Sequence, residues 1–213
     1  MNFARARERM VEEQLVNRGV SDLRVLAAVS RVERHRFVAE ALQMRAYDDK
    51  PLPIGERQTI SQPYMVGLMT QALELRGHER VLEIGTGCGY QTAVLAELAA
   101  TVYTVERLAV LAAAARVTLE AFGYTNVVTR VGDGSLGWAD EGPFDAILVT
   151  AGTPQVPRPL LAQLAMKGRL VFPVGEEELQ TLVRIRKEGE GLHEEYLGDC
   201  RFVKLVGRYG WRR

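Results

Sequence analysis

Cysteine is nearly absent from this chain: Cys88 and Cys200 are the only two, at no paired spacing, so no disulfide is expected. Histidine is as sparse. His35, His78 and His193 stand far apart and supply no metal-ligand spacing, which excludes a zinc site from the expectations. An excess of charge is also missing. Lysine plus arginine equals aspartate plus glutamate at 27 each, so no whole-molecule field attracts nucleic acid or an anionic membrane. The longest apolar run, Leu108 to Ala115, is too short to span a bilayer, and the first residues are Arg- and Glu-rich rather than apolar. Internal repeats and low-complexity linkers are lacking too. With 47% hydrophobic and 25% charged residues, usual for globular proteins, the 213 residues predict one cytoplasmic, monomeric domain with neither nucleic acid nor membrane as partner.

What the chain does have is a glycine-rich turn in an informative place. Val81, Leu82, Glu83 and Ile84 read as a buried strand, and Gly85, Thr86, Gly87, Cys88 and Gly89 follow at once, ahead of a helix from Tyr90. Alternate glycines let the backbone approach a ligand closer than any Cβ permits, and the helix start adds unpaired amides. A dinucleotide fingerprint would place its third glycine where Tyr90 stands, which disfavours a pyrophosphate-binding turn. Glu83 opens the loop instead, and Glu106 closes the next strand, Val102 to Val105. A carboxylate at a strand end accepts hydrogen bonds from both hydroxyls of a ribose, and neighbouring acids attract an ammonium and a sulfonium. S-adenosylmethionine meets both needs, so Glu83, Gly85, Thr86, Gly87, Gly89 and Glu106 are candidate cofactor residues; Glu106 alone would read as a solvated strand end. Val127 to Val131 then runs into Gly132, Asp133 and Gly134, where Asp133 either holds the adenine amino group from the rim or simply forms the turn. Cys88 reads either as a nucleophile or as a small filler of a tight turn.

The rest of the pattern surrounds this loop with alternating strands and helices. Asn2 caps a first helix with an apolar stripe of Phe3, Ala6, Met10, Val11 and Leu15, ending near Asn17 and Gly19. Ser21 is the expected cap of a second, and Phe37 to Leu42 is a third apolar segment. Tyr47 to Gly55 contains Pro51, Pro53 and Gly55 and keeps no period, which predicts a ligand-side loop. From Gln62 the pattern turns helical, with Pro63 in the first turn and Met65 and Met69 facing the core. Helices near Tyr90 to Leu98 and Arg107 to Phe122 predict right-handed crossovers over a parallel sheet. Phe144 to Thr150 has the apolar continuity of a strand buried on both faces. Later strands are expected around Leu170, Leu182 and Phe202, the last two antiparallel because too little sequence separates them for a helix.

Set beside the loop at Val81 to Gln91, the segment Gln58, Thr59, Ile60, Ser61, Gln62, Pro63, Tyr64, Met65 resembles that of the protein-L-isoaspartate O-methyltransferase family. The likeness continues through Val105 to Arg107, Gly132 to Ser135, Pro143 to Asp145, Gly168 to Val171 and Arg201 to Val203. It implies an α/β, Rossmann-like class I S-adenosylmethionine-dependent methyltransferase, its mostly parallel sheet finished by antiparallel C-terminal strands. Residues 1–60 would be a helical extension with the substrate-side loop, and 61–213 the cofactor-binding core. The implied reaction leaves S-adenosylhomocysteine, uses no metal, and methylates the free α-carboxylate of L-isoaspartyl residues in damaged proteins and peptides. The ester then collapses to a succinimide that returns part of the damage to normal aspartate. Ser61 matches the family's active-site serine, and Thr59, Ile60, Ser61 and Gln62 its substrate-side segment. This chain departs from the common pattern at Arg57, Cys88, Gly152, Thr153 and Lys204, where glycine, serine, alanine and proline are usual; these departures bear on peptide preference more than on reaction.

A physical argument stands beside the resemblance. An α-carboxylate has a pKa of about 3.5, so it is already a nucleophile at neutral pH and needs no general base. Around Ser61 there are hydroxyls, an amide and a helix start that hold an anion by uncharged donors. Ser61 could equally cap the helix beside Pro63. A nucleic-acid amino-methyltransferase would carry an acid or Asn, two prolines and an aromatic where Thr150, Ala151, Gly152 and Thr153 stand. A small-molecule O-methyltransferase would need a base or metal for a hydroxyl acceptor. A non-catalytic cofactor sensor would keep Glu106 and Asp133 and have no use for Ser61.

Overall fold

The computed structural model describes residues 2–189 and 191–212. Helix α1 (Phe3–Arg9) is capped by the Asn2 side chain, which accepts from the Arg5 N–H at 3.2 Å. The chain widens into a π-helical stretch, Met10–Leu15, and Gly19 ends the turn in the left-handed region at φ 91°. Helix α2 (Leu23–Arg31) follows, and its cap is Asp22 rather than the expected Ser21. The Asp22 carboxylate accepts from the Arg24 N–H at 2.9 Å, while the N–H groups of Ser21 and Asp22 are both taken by Gln71 Oε1 on the facing helix.

The expected loop over Tyr47 to Gly55 is only partly a loop. Leu52–Gly55 is strand β1, which pairs antiparallel with β2 (Gln58–Ile60). Burial of Leu52 and Ile60, partners in the ladder, anchors the hairpin, and strands this short leave no alternation to read in a sequence. The turn between them holds Glu56 and Arg57 at φ 50° and 57°, a left-handed conformation at two non-glycine residues.

Helix α3 (Pro63–Ala72) carries Pro63 in its first turn and buries Met65 and Met69. Then come β3 (Arg80–Ile84), α4 (Tyr90–Ala96), β4 (Thr101–Glu106), α5 (Ala109–Ala121), β5 (Val127–Val131) and β6 (Phe144–Val149). Helix α6 (Arg158–Ala162) leads into β7 (Leu164–Gly175), β8 (Gln180–Glu188) and β9 (Gly191–Cys200). Seven of these strands form one sheet in the order β5-β4-β3-β6-β7-β8-β9. Pairing is parallel from β5 to β7 and antiparallel from β7 to β9, the finish the spacing predicts. The last strand lies earlier than expected: β9 ends at Cys200, opposite Gln180, and Phe202 sits beyond it with its N–H given to Gln180 Oε1 at 2.8 Å. A side-chain acceptor there replaces the next rung of the ladder.

Strand alternation divides the core between the two faces of the sheet. Val81, Val102 and Leu148 pack with Leu15, Val29, Phe37 and Leu73 of the N-terminal helices, whereas Leu82, Ile84, Ile147 and Leu170 gather on the opposite side. The order of the sheet reverses between β3 and β6, and the crevice beyond the carboxyl ends of such strands is where open α/β sheets take ligands.

The strained turn of the hairpin gives a stability prediction. A left-handed L-residue costs about 1–2 kcal/mol, and glycine gives back about 0.5–1 kcal/mol through its freedom in the unfolded chain. Arg57→Gly is therefore expected to raise the unfolding free energy by about 0.5–1 kcal/mol in urea titration; a loss would mean that the Arg57 side chain holds the hairpin.

Candidate active site

Two cavities open at that crevice. The first, of about 560 Å³, is walled by the turn after β3 (Gly85, Thr86, Gly87, Cys88), by Glu106 at the end of β4, by Gly134, by the β2 segment Gln58 to Ser61 and by Val203 to Val206. Its size is that of a small-molecule site. The turn is fixed from both sides. Thr150, directly after β6, donates its hydroxyl to the carbonyls of Ile84 (3.0 Å) and Gly85 (2.7 Å), and the Gly85 N–H reaches the Val105 carbonyl at 2.9 Å. Gly85 has φ 101°, and a Cβ there would collide with the Thr150 hydroxyl, so only glycine fits. Glu106 is buried, and its carboxylate accepts from the Gly87 N–H through Oε2 and the Leu108 N–H through Oε1, both at 2.9 Å. Each oxygen keeps a lone pair for a ligand hydroxyl.

The second cavity, of about 520 Å³, lies beside the first and is lined by Gln62, Tyr64, Met65, Asp199 and Arg201 among others. Thr59, Ser61, Thr150, Val203 and Lys204 line both. Ser61 thus stands where the two meet. It does not cap α3, whose first position follows Gln62 and has no side-chain cap. Its carbonyl accepts from Arg34 Nη2 at 2.7 Å. Lys204 is paired at the second cavity, with Nζ 2.6 Å from Glu177 Oε2.

Of the residues expected in a cofactor site, the structure brings Gly85, Thr86, Gly87, Glu106 and Gly134 together on the first wall, and Thr59, Ile60 and Ser61 opposite them. Glu83, Gly89 and Asp133 are not on it, and Gln62 faces the second cavity. Glu83 is fully buried beneath the turn, where Oε2 accepts from the hydroxyls of Thr92 (2.5 Å) and Thr104 (2.7 Å). Thr104 Oγ1 is also 2.6 Å from Thr86 Oγ1, and either hydroxyl can supply the proton between them. A Cβ on Gly89 would press on Ala115 and Leu119, so this glycine serves the packing of α4 on α5. Asp133 Oδ1 accepts from the N–H and hydroxyl of Ser135, and Oδ2 from the Arg208 N–H at 2.8 Å, anchoring the C-terminal segment. Burial pushes the Cys88 thiol up to about 11, which removes the thiolate that a nucleophile requires and leaves the filler reading. Among the described residues no group of His, Cys, Asp and Glu is placed to hold a metal ion. Of the wall from Val203 to Val206, sequence reasoning reached Val203, through the likeness, and Lys204, as a departure near the cleft, and missed Leu205 and Val206.

Comparison with known proteins gives the family and the fold. The family model described as Protein-L-isoaspartate(D-aspartate) O-methyltransferase (PCMT) matches residues 5–210. Protein-L-isoaspartate O-methyltransferase 1 of Syntrophobacter fumaroxidans is 61% identical over 211 residues, covering 99% of each chain. A solved protein-L-isoaspartate O-methyltransferase superposes with a TM-score of 0.86 at 30% identity, covering 96% of this chain and 67% of that one. A Plasmodium falciparum structure assigned to the same enzyme, in complex with S-adenosyl-L-homocysteine, gives 0.81 at 25% identity, covering 94% of this chain and 98% of the other.

The buried carboxylate makes stability depend on pH. Desolvation raises the Glu83 pKa from 4.5 to about 8 and the Glu106 charge adds to it, against the two threonine hydroxyls. Between those values the unfolded chain has released the proton and the folded one retains it, so the unfolding free energy falls as pH rises through this window. Denaturant midpoints should therefore decline between about pH 5 and pH 8 for the wild type relative to Glu83→Gln, with the lowered His35 pKa contributing equally to both; parallel profiles would mean that Glu83 is already ionised in the fold.

Proposed function

The chain belongs to the protein-L-isoaspartate(D-aspartate) O-methyltransferase family, and on that premise we propose which of its residues carry the reaction. The activity is transfer of a methyl group from S-adenosylmethionine to the α-carboxylate of L-isoaspartyl residues in damaged proteins, the step that opens repair through a succinimide. Bound S-adenosylmethionine supplies an electrophilic methyl group on a sulfonium.

The first cavity fits that cofactor, and the reading places Gly85, Thr86, Gly87, Glu106 and Gly134 in direct contact with it. Glu106 would hold the ribose hydroxyls, because its oxygens combine a rigid backbone clamp with free lone pairs. Glu83 acts from beneath, supporting Thr86 through Thr104. Gly134 takes the adenine rim, and its neighbour Asp133, off the wall, supports it by holding Ser135 and the tail. Gly89 supports the loop through α5.

The observation that carries the reading is the junction at Ser61. Thr59, Ile60, Ser61 and Gln62 would receive the isoaspartyl segment from the second cavity and turn its carboxylate toward the first. Such a carboxylate is ionised at neutral pH, so the site's task is to orient it in line with the methyl and exclude water. An uncharged hydroxyl does this without neutralising the nucleophile, and Lys204, paired with Glu177, does not compete. Residues 1–213 then act as one methyltransferase domain, 1–60 giving the extension and hairpin roof and 61–213 the cofactor core. A monomer in the cytoplasm, without nucleic acid or membrane as partner, completes the reading; the balanced charge and the free Cys88 and Cys200 thiols support it.

The decisive assay offers labelled S-adenosylmethionine to matched peptides that differ only in L-isoaspartyl against L-aspartyl. Label confined to the isoaspartyl peptide is expected. Ser61→Ala should lower turnover roughly ten- to a thousandfold while S-adenosylhomocysteine affinity holds, as removal of one oriented donor does; undiminished turnover would end the role of Ser61. Glu106→Ala should instead weaken S-adenosylhomocysteine binding by about tenfold or more in calorimetry, and wild-type affinity would refute the ribose contact.

A further inference from the structure

Among the described residues Arg34 heads the fully buried side chains in size, at 0% exposure. Its guanidinium lies 4.8 Å from the centre of the Tyr90 ring, burial lowers its pKa, and it takes part in no ion pair among the described residues. Burying a cation without a counter-ion is costly, and an apolar side chain of similar volume would fill the space without that cost. Packing alone therefore does not account for an arginine here.

Its hydrogen bonds do. Nε donates to the Ala46 carbonyl and Nη2 to the Ser61 carbonyl, each at 2.7 Å, while Nη1 has no partner. The backbone on either side of Ser61 is otherwise held only at its neighbours: Ile60 pairs with Leu52 in the hairpin, and the Gln62 carbonyl accepts from the Val66 N–H in the first turn of α3. Between these anchors the Ser61 carbonyl has Arg34 as its restraint. A planar fork whose neighbouring N–H on the same edge is fixed on Ala46 is a stiffer hold than a flexible ammonium would give.

We propose that Arg34 is a positioning residue for methyl transfer: from the buried side it fixes the Ser61 backbone, and so keeps the Ser61 hydroxyl at the junction of the two cavities. This rests on the reading of Ser61 as the residue that orients the acceptor carboxylate.

The test is a double-mutant cycle on the full chain with Arg34→Lys, Ser61→Ala and the pair, reading kcat and KM for an isoaspartyl peptide. Affinity for S-adenosylhomocysteine serves as the control on folding. Arg34→Lys should lower kcat by about ten- to a hundredfold, the scale of a misplaced reacting group, with S-adenosylhomocysteine affinity preserved. The double variant should be slower than Ser61→Ala by no more than about threefold, because residues acting as a unit do not add. Full multiplication of the two losses, or wild-type kcat in Arg34→Lys, overturns the role of Arg34 and leaves Ser61 in place. Wild-type turnover in Ser61→Ala overturns the reading of Ser61 and the proposal with it. If the lysine variant does not bind S-adenosylhomocysteine, Arg34→Gln, neutral and keeping a donor, runs the same cycle.

Discussion

One hydroxyl group spans the point where the sheet reverses its order. Thr150 donates to the last carbonyl of β3 and to the first of the glycine turn, and it does so from the end of the neighbouring strand. That contact extends the backbone ladder of the two strands, which ends with the Thr150 N–H on the Ile84 carbonyl at 2.9 Å, into the glycine turn. The turn it holds then presents Gly87 to Glu106 and launches α4, so the cofactor wall is an extension of the same bond. Thr150 also lines both cavities, which places the floor of the acceptor site on the same support. A sheet strand buried on both faces gives this hydroxyl a rigid base, and no mobile element is needed to form the wall.

Features that act through neighbours in the chain were legible in the sequence, and features that act across it were not. The glycine turn, the acid closing β4 and the Pro63 helix start each declare themselves within a few residues. Glu83 is instructive because its direction follows from alternation: it shares the face of Val81, two residues before it, and so turns to Thr92 of α4 and not to the cofactor wall where the sequence places it. Asp133 looked free between glycines because its partner, Arg208, is 75 residues away. The wall from Val203 to Val206 is built by exchange of hydrogen bonds with Gly152, and Arg34 meets Ser61 from 27 residues upstream; no local period encodes either. The hairpin was hidden for another reason, since its strands are shorter than any alternation that could be recognised.

The charges of the site follow a consistent economy. Acids on the cofactor side are tied to backbone amides or threonine hydroxyls, which keeps their geometry fixed whatever occupies the cavity. The cations of the second cavity are paired, Lys204 with Glu177, Arg201 with Glu178 and Arg18 with Asp49 at 2.8 Å, while Arg34 is sealed in the core. Of the residues the two cavities share, Thr59, Ser61, Thr150 and Val203 are uncharged. A negatively charged nucleophile entering such a place meets orientation without a competing ion pair, the condition under which its attack is least hindered.

The C-terminal segment lines both ligand chambers with Val203 and Lys204 and is then pinned on Asp133 and Ser135 through the amides of Arg208 and Tyr209. Docking of that segment and filling of the chambers are therefore two equilibria that share contacts. Thermodynamic reciprocity requires that whatever factor a ligand contributes to holding the segment down, the docked segment returns to the ligand as affinity. The tail is in this sense a second ligand of the site, covalently tethered, and a force applied to it at a distance would be registered at the cofactor.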